Sequence, residues 1–171
     1  MLEPLIDVIR ELDRSEIPHM LAGSFASTYH GEPRTTRDID LVIDPSEHSL
    51  VGFVRSLPVE RYYASETAAR EAWLLRSQFN LVHLATGWKI DLILCKSRPF
   101  SREEFARRER AEIEGVSVFV ATAEDTVLAK LEWARAGESE RQVRDVIGIL
   151  DVRGEELDRS YIERWARELG I

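Results

Sequence analysis

Two aspartates, Asp38 and Asp40, stand at the head of an apolar, β-branched run, DIDLVI at residues 38–43. Side chains alternate along a strand, so the two carboxylates share one face, with backbones about 7 Å apart, while Ile39, Leu41 and Ile43 share the other. The run predicts a strand with one face in a core and two charges on the opposite face. A carboxylate is costly to bury unless it is paired or coordinates a metal, so this strand calls for a cation. The run WKIDLILC at residues 88–95 has the same parity, with Trp88, Ile90, Leu92 and Leu94 on one face and Asp91 on the other. If the two strands are neighbours, three carboxylates meet on one side of one sheet and push one another toward protonation unless a cation intervenes. Hard oxygen donors of this kind suit Mg²⁺, which takes one or two carboxylates together with phosphate oxygens. Two such ions about 3.5–4 Å apart activate a hydroxyl and stabilise a leaving pyrophosphate.

The stretch upstream, MLAGSFASTYHG, supplies a matching half. Gly23 permits a close backbone approach to a ligand, and Ser24 reads as the N-cap of a short helix ended by Gly31 and Pro33. A helix N-terminus presents N–H groups and the positive end of its dipole, which suits phosphate. A phosphate-holding turn followed by a metal-holding strand is a layout for handling a nucleoside triphosphate. Neither half is specific alone. Many strands carry solvent-facing aspartates, and Gly-Ser is usually an ordinary turn and cap.

Elsewhere the periodicity predicts helices over residues 3–14 and 66–75, and one from the Asp44-Pro45-Ser46 start to about Leu57. A hairpin turns at Thr86-Gly87, a charged helix begins at Ser101, and residues 116–120 form a strand. From Ala123 the pattern is helical, with breaks near Gly137 and Gly154. The expected class is α/β (α+β), a central mixed sheet flanked by helices with a C-terminal helical extension. We assign residues 1–121 to the core and 122–171 to helices packed on it. The sequence has 171 residues, 23 basic and 31 acidic, for a formal charge of −8. That balance argues against a protein that coats nucleic acid. The basic run Lys96, Arg98, Arg102, Arg107, Arg108 and Arg110 is interrupted by Glu103, Glu104 and Glu109 and reads as a solvated helix face. No apolar run is long enough to span a bilayer, and the acidic, amphipathic N-terminus predicts no signal peptide. A cytoplasmic protein without a membrane partner is expected. The single cysteine, Cys95, reads as a buried thiol, and the four tryptophans as core or interface anchors.

At this point AGSFAS followed by RTTRDIDLVI resembles the nucleotidyltransferase superfamily pattern of Gly-Ser, a gap, then Asp-x-Asp. The chain is most similar to bacterial stand-alone nucleotidyltransferases of the abortive-infection toxin type and their uncharacterised relatives. Their Arg-x-Thr-x-Asp-x-Asp is matched by Arg34, Thr36, Asp38 and Asp40. Their downstream helix is matched by ATAEDTVLAKLEWAR, and their Arg-Asp pair by Arg144-Asp145. The resemblance implies the nucleotidyltransferase fold and a Mg²⁺- or Mn²⁺-dependent enzyme. Such an enzyme moves a nucleoside monophosphate from an NTP, such as ATP, to a hydroxyl or phosphate of a tRNA, a protein or a small molecule. It implies Asp38, Asp40 and Asp91 as catalytic metal ligands. Gly23, Ser24, Arg34, Thr36 and Lys130 would be on the nucleotide and Asp145 on the acceptor side. A cognate antitoxin or regulator is the implied protein partner. The alternative on the same fold is a non-catalytic nucleotide-binding or toxin–antitoxin interaction module. A phosphatase-type aspartate motif fits poorly, because there the apolar strand precedes the aspartates, and a calcium loop fails for want of its repeated ligands and central glycine.

Overall fold

The computed structural model describes residues 2–33, 35–36, 38–137 and 139–171. The first amphipathic segment folds as α1 (Glu3–Arg14), burying Leu5, Val8, Ile9 and Leu12. It leads into β1 (His19–Leu21), α2 (Gly23–His30) and β2 (Asp38–Ile43). Then follow α3 (Glu47–Ser56), β3 (Tyr62–Tyr63), α4 (Glu66–Leu75), β4 (Gln78–His83) and β5 (Lys89–Leu94). The last sheet elements come after α5 (Pro99–Arg107) as β6 (Glu109–Ile113) and β7 (Val116–Val120). Three helices close the chain: α6 (Ala123–Gly137), α7 (Glu140–Arg153) and α8 (Arg159–Leu169).

The strands form one seven-stranded mixed sheet in the order β3-β4-β5-β2-β1-β7-β6. β2 pairs parallel with β5, and β1 parallel with β7, while the remaining neighbours are antiparallel. The alternation read from the sequence is realised, since Ile39, Leu41, Ile43, Ile90, Leu92 and Leu94 are fully buried. They share one apolar core with α1, Leu50 and Phe53 of α3, and Ala69 and Ala72 of α4. Ser46 caps α3, its hydroxyl accepting from the Ser49 N–H, as the Asp-Pro-Ser start predicted.

Besides the two-residue edge strand β3, which was not expected, three features differ from the sequence reading. α2 begins at Gly23, with Ala22 as its cap and no side-chain cap bond, so Ser24 lies inside the first turn. β6 was not expected, because ERAEI is mostly charged and continues the polar character of α5. It is an edge strand, where exposed charge is compatible with pairing, and Glu114 (φ 48°) and Gly115 (φ 77°) supply the positive φ pair that a tight hairpin needs. The basic run is a solvated stripe only in part, with Lys96, Arg102 and Arg110 exposed. Arg98 pairs with Glu132, Arg102 with Asp44, and the Arg107 guanidinium lies 3.7 Å above the Tyr161 ring.

The C-terminal helices are tied to α5 through Asp125, which is fully buried. Its carboxylate accepts from the Tyr161 hydroxyl at 2.5 Å, from Thr122 Oγ1 at 2.7 Å and from Arg107 Nε at 3.2 Å. Burial pushes this carboxyl above the ordinary aspartate range, and those donors oppose the shift. Asp125→Ala takes the acceptor from the buried Thr122 and Tyr161 hydroxyls and leaves Arg107 with Glu124 alone, which costs about 3 kcal/mol. For a chain of this size that lowers the thermal midpoint by roughly 6–12 °C, a shift that differential scanning calorimetry resolves.

Candidate active site

The parallel register of β2 on β5 sets Asp38 opposite Lys89 and Asp40 opposite Asp91. All four side chains leave the sheet on the face away from the core, by the period-two alternation of both strands. The three carboxylates therefore gather as the sequence parity required. The residue that parity reading passed over is Lys89, whose ammonium lies 2.9 Å from one Asp91 oxygen and 3.0 Å from the other. This contact raises the Lys89 pKa, with Asp38 and Asp40 adding to the effect and burial opposing it.

Asp40 meets the start of α2. Gly23 sits at φ +55°, and a Cβ built there would overlap Asp40 Oδ2 and lie 2.6 Å from its Cγ. The Ser24 N–H, in the first turn of α2, donates to Asp40 Oδ2 at 3.4 Å. The Ala22 N–H donates to the Asp40 carbonyl at 3.0 Å, fixing the turn to the strand through backbone as well. Only glycine satisfies both the backbone angle and the contact. Burial pushes the Asp40 carboxyl up, and Asp91 and Asp38 push it further, while the Ser24 N–H and Lys130 pull it back.

Lys130 and Asp145, assigned to the site only through resemblance, are brought together. The Lys130 ammonium donates to Asp145 Oδ2 at 2.8 Å, with both side chains under a tenth exposed. Ser27 connects the pair to α2, because its hydroxyl is 3.0 Å from the Gly23 carbonyl, 3.1 Å from the Ser24 carbonyl and 3.4 Å from Asp145 Oδ2. Farther along, a Cβ at Gly31 would stand 2.8 Å from the Ile149 backbone nitrogen. Ser27 thus meets Asp145 and Gly31 meets Ile149, so α2 and α7 run side by side in the same direction. Ser27, Asp145, Glu32, Pro33, Arg144 and Gly148 line a cavity of about 190 Å³ between them. A larger cavity of about 490 Å³ lies at the other end of β2, beside Asp44 and Ser46. Thr36 is engaged with the head of β2, its hydroxyl accepting from the Asp38 N–H at 3.2 Å. Arg34 lies outside the described residues.

Asp38 and Asp40 suit a divalent cation by chemistry. They are hard oxygen donors on one strand face, and the upward push on Asp40, from burial first and from Asp91 and Asp38 after it, is one that a bound cation opposes. Among the described residues, however, no three Asp, Glu, His or Cys side chains group closely enough to hold a metal. Asp91 lies opposite Asp40 in the register and is paired with Lys89.

The same architecture recurs in solved structures. A nucleotidyltransferase-like antigenic protein from Paracoccidioides brasiliensis superposes with a TM-score of 0.60 at 20% identity, over 88% of this chain and 75% of that one. The antibiotic-resistance factor ANT(2'')-Ia, in complex with adenylyl-2''-tobramycin, gives 0.62 at 14% identity over 98% and 95%. The lincosamide antibiotic adenylyltransferase LnuA, bound to lincomycin, gives 0.59 at 11% identity over 89% and 98%.

The chain has the nucleotidyltransferase fold.

No family model and no curated protein sequence matches it. Within the nucleotidyltransferase fold seen here, Cys95 is a buried thiol bonded to the Lys96 and Ser101 carbonyls. Trp165 is buried in a cluster with Phe100, Leu128 and Tyr161. Trp133, 66% exposed on α6, lies outside the core. Lys89 was legible in principle, since a lysine two residues before a strand aspartate must share its face.

Two outcomes follow from these charges. Lys130→Met leaves the Asp145 carboxylate without its ammonium and costs about 3–5 kcal/mol in urea unfolding, and adding Asp145→Leu restores most of it. Asp40 has a folded-state pKa above its unfolded value, so stability falls as pH rises from the unfolded through the folded value. Without added metal, Asp40→Asn therefore melts above the native chain at pH 7.5, and the difference vanishes well below the ordinary aspartate pKa.

Proposed function

We propose that this chain is a metal-dependent nucleotidyltransferase, moving a nucleoside monophosphate from an NTP to a hydroxyl or phosphate acceptor. The observation that carries this reading is the meeting of Asp40 with the α2 N-terminus at Gly23 and Ser24. A carboxylate suited to a cation and an N-terminal turn suited to phosphate occupy one point of the fold.

Asp38 and Asp40 would hold Mg²⁺ or Mn²⁺, which supplies charge neutralisation at the phosphates when bound. The α2 N-terminus binds the triphosphate, with Thr36, Arg34 and Lys130 as its further contacts. The acceptor oxygen attacks the α-phosphorus, the bond from that phosphorus to the bridging oxygen breaks, and pyrophosphate leaves. Asp91 takes the acceptor proton. Positioning and charge stabilisation account for most of the rate, as in phosphoryl transfer generally. Asp145 lies on the acceptor side, where it lines the cavity between α2 and α7.

The formal charge of −8 supports a small cationic acceptor over bulk RNA. The tobramycin and lincomycin compounds carried by two structural neighbours support a small hydroxyl compound as well. A second reading, a non-catalytic module that works through a protein partner such as an antitoxin, is favoured by one observation. Val143, Ile147 and Leu150 form an exposed apolar stripe along α7. Among the described residues no helix is long and apolar enough to cross a membrane.

Thermal unfolding with each NTP, with and without Mg²⁺, separates the readings. A nucleotide at about 100 times its dissociation constant stabilises by about 2.7 kcal/mol, and the Mg²⁺-dependent part of that shift is lost in Asp40→Asn. The same substitution lowers pyrophosphate release by at least about 100-fold. Nucleotide binding without pyrophosphate release, against a panel of aminoglycosides, lincosamides and tRNA, leaves the binding module as the correct reading.

A further inference from the structure

The third carboxylate of the site already has a cation. Lys89 and Asp91 share one face of β5, and the Lys89 ammonium reaches both Asp91 oxygens, at 2.9 and 3.0 Å. The register makes a square of four charges on two adjacent strands, with Asp38 opposite Lys89 and Asp40 opposite Asp91. Three are negative and one is positive, so the face carries a net charge of −2, which one divalent cation balances. Among the described residues Asp91 does not join Asp38 and Asp40 in any metal-holding group. We infer that Lys89 is a positioning residue that takes the place of a second metal, so that the site binds one divalent ion on Asp38 and Asp40 and uses the Lys89 ammonium beside Asp91. This rests on the transfer reading above.

The consequence is a division of labour between the two strands. β2 holds the single ion against the triphosphate, and β5 presents a fixed positive charge that needs no metal from solution. An ammonium is a compact point charge on a flexible stem, so it can follow Asp91 toward the acceptor without the strict octahedral demands of Mg²⁺. Asp91, held by Lys89 rather than by metal, has the remaining lone pairs of its two oxygens for the acceptor hydroxyl.

Metal stoichiometry tests this directly on the full chain. Mn²⁺ is titrated and followed by electron paramagnetic resonance, alone and with each of the four NTP analogues bearing a methylene between the α and β phosphorus. The native chain binds one Mn²⁺ per chain, and Lys89→Met binds two, because three unbalanced carboxylates then accept a second ion. Lys89→Arg keeps the charge and stays at one, which guards against a Lys89→Met chain that fails to fold. Two Mn²⁺ in the native chain, or one in a folded Lys89→Met chain, overturns the role of Lys89 while leaving nucleotidyl transfer standing. No Mn²⁺ and no analogue bound by the native chain overturns the transfer reading and this inference with it.

Discussion

A missing side chain at residue 23 lets a carboxylate and a helix N-terminus occupy the same few ångströms. With any Cβ there, Asp40 and the first turn of α2 could not both keep their positions. Much else is arranged around that contact. The Ala22 N–H ties the turn to the Asp40 carbonyl, and Ser27, one turn later, bonds back to the Gly23 and Ser24 carbonyls. Because Ser27 also reaches Asp145, the position of α2 is shared with α7, and through Lys130 with α6. α6 and α7 thereby adjoin the candidate site.

The charges at this point oppose folding before they serve any chemistry. Three carboxylates on neighbouring strands repel one another, and partial burial of Asp40 adds a desolvation cost. The fold offsets this with a lysine on one side and a helix dipole on the other. Such local conflict inside an otherwise consistent structure is characteristic of sites that expect a ligand. By contrast, Asp125 is more deeply buried yet fully supplied with donors, and it serves packing.

The parts legible in the sequence were those governed by local periodicity. Alternation in DIDLVI and WKIDLILC gave both core faces and the three carboxylates, since strand parity does not depend on what lies beyond the strand. Helical spacing gave α1 and α4, and the Ser46 cap gave α3. Pairwise contacts between distant segments were not legible. Nothing local marks Lys130 as the partner of Asp145, or Arg98 as the partner of Glu132, so a basic run that reads as solvated became in part a set of tertiary ion pairs. β6 was hidden for a different reason, because an edge strand tolerates the same charged residues that a solvated helix does. The α2 cap was misplaced by two residues, at Ser24 rather than Ala22, because the Ala22 cap is made by backbone geometry alone.

The interior strand β1 has a consequence for how this protein is made. Three residues long and buried throughout, it lies between β2 and β7. Its antiparallel partner follows soon after it in the chain, but Leu21 finds its parallel partner only at Val120. A nascent chain can therefore assemble the β1–β2 pair early and then close β5 onto β2, gathering the carboxylates while the far edge of β1 is still open. That edge exposes backbone hydrogen-bonding groups until β7 leaves the ribosome, which makes a long-range, late-closing step of the kind that slows folding and invites association with other chains. The segment that protects this intermediate is thus β7, itself flanked by the strand that the sequence advertises least, β6.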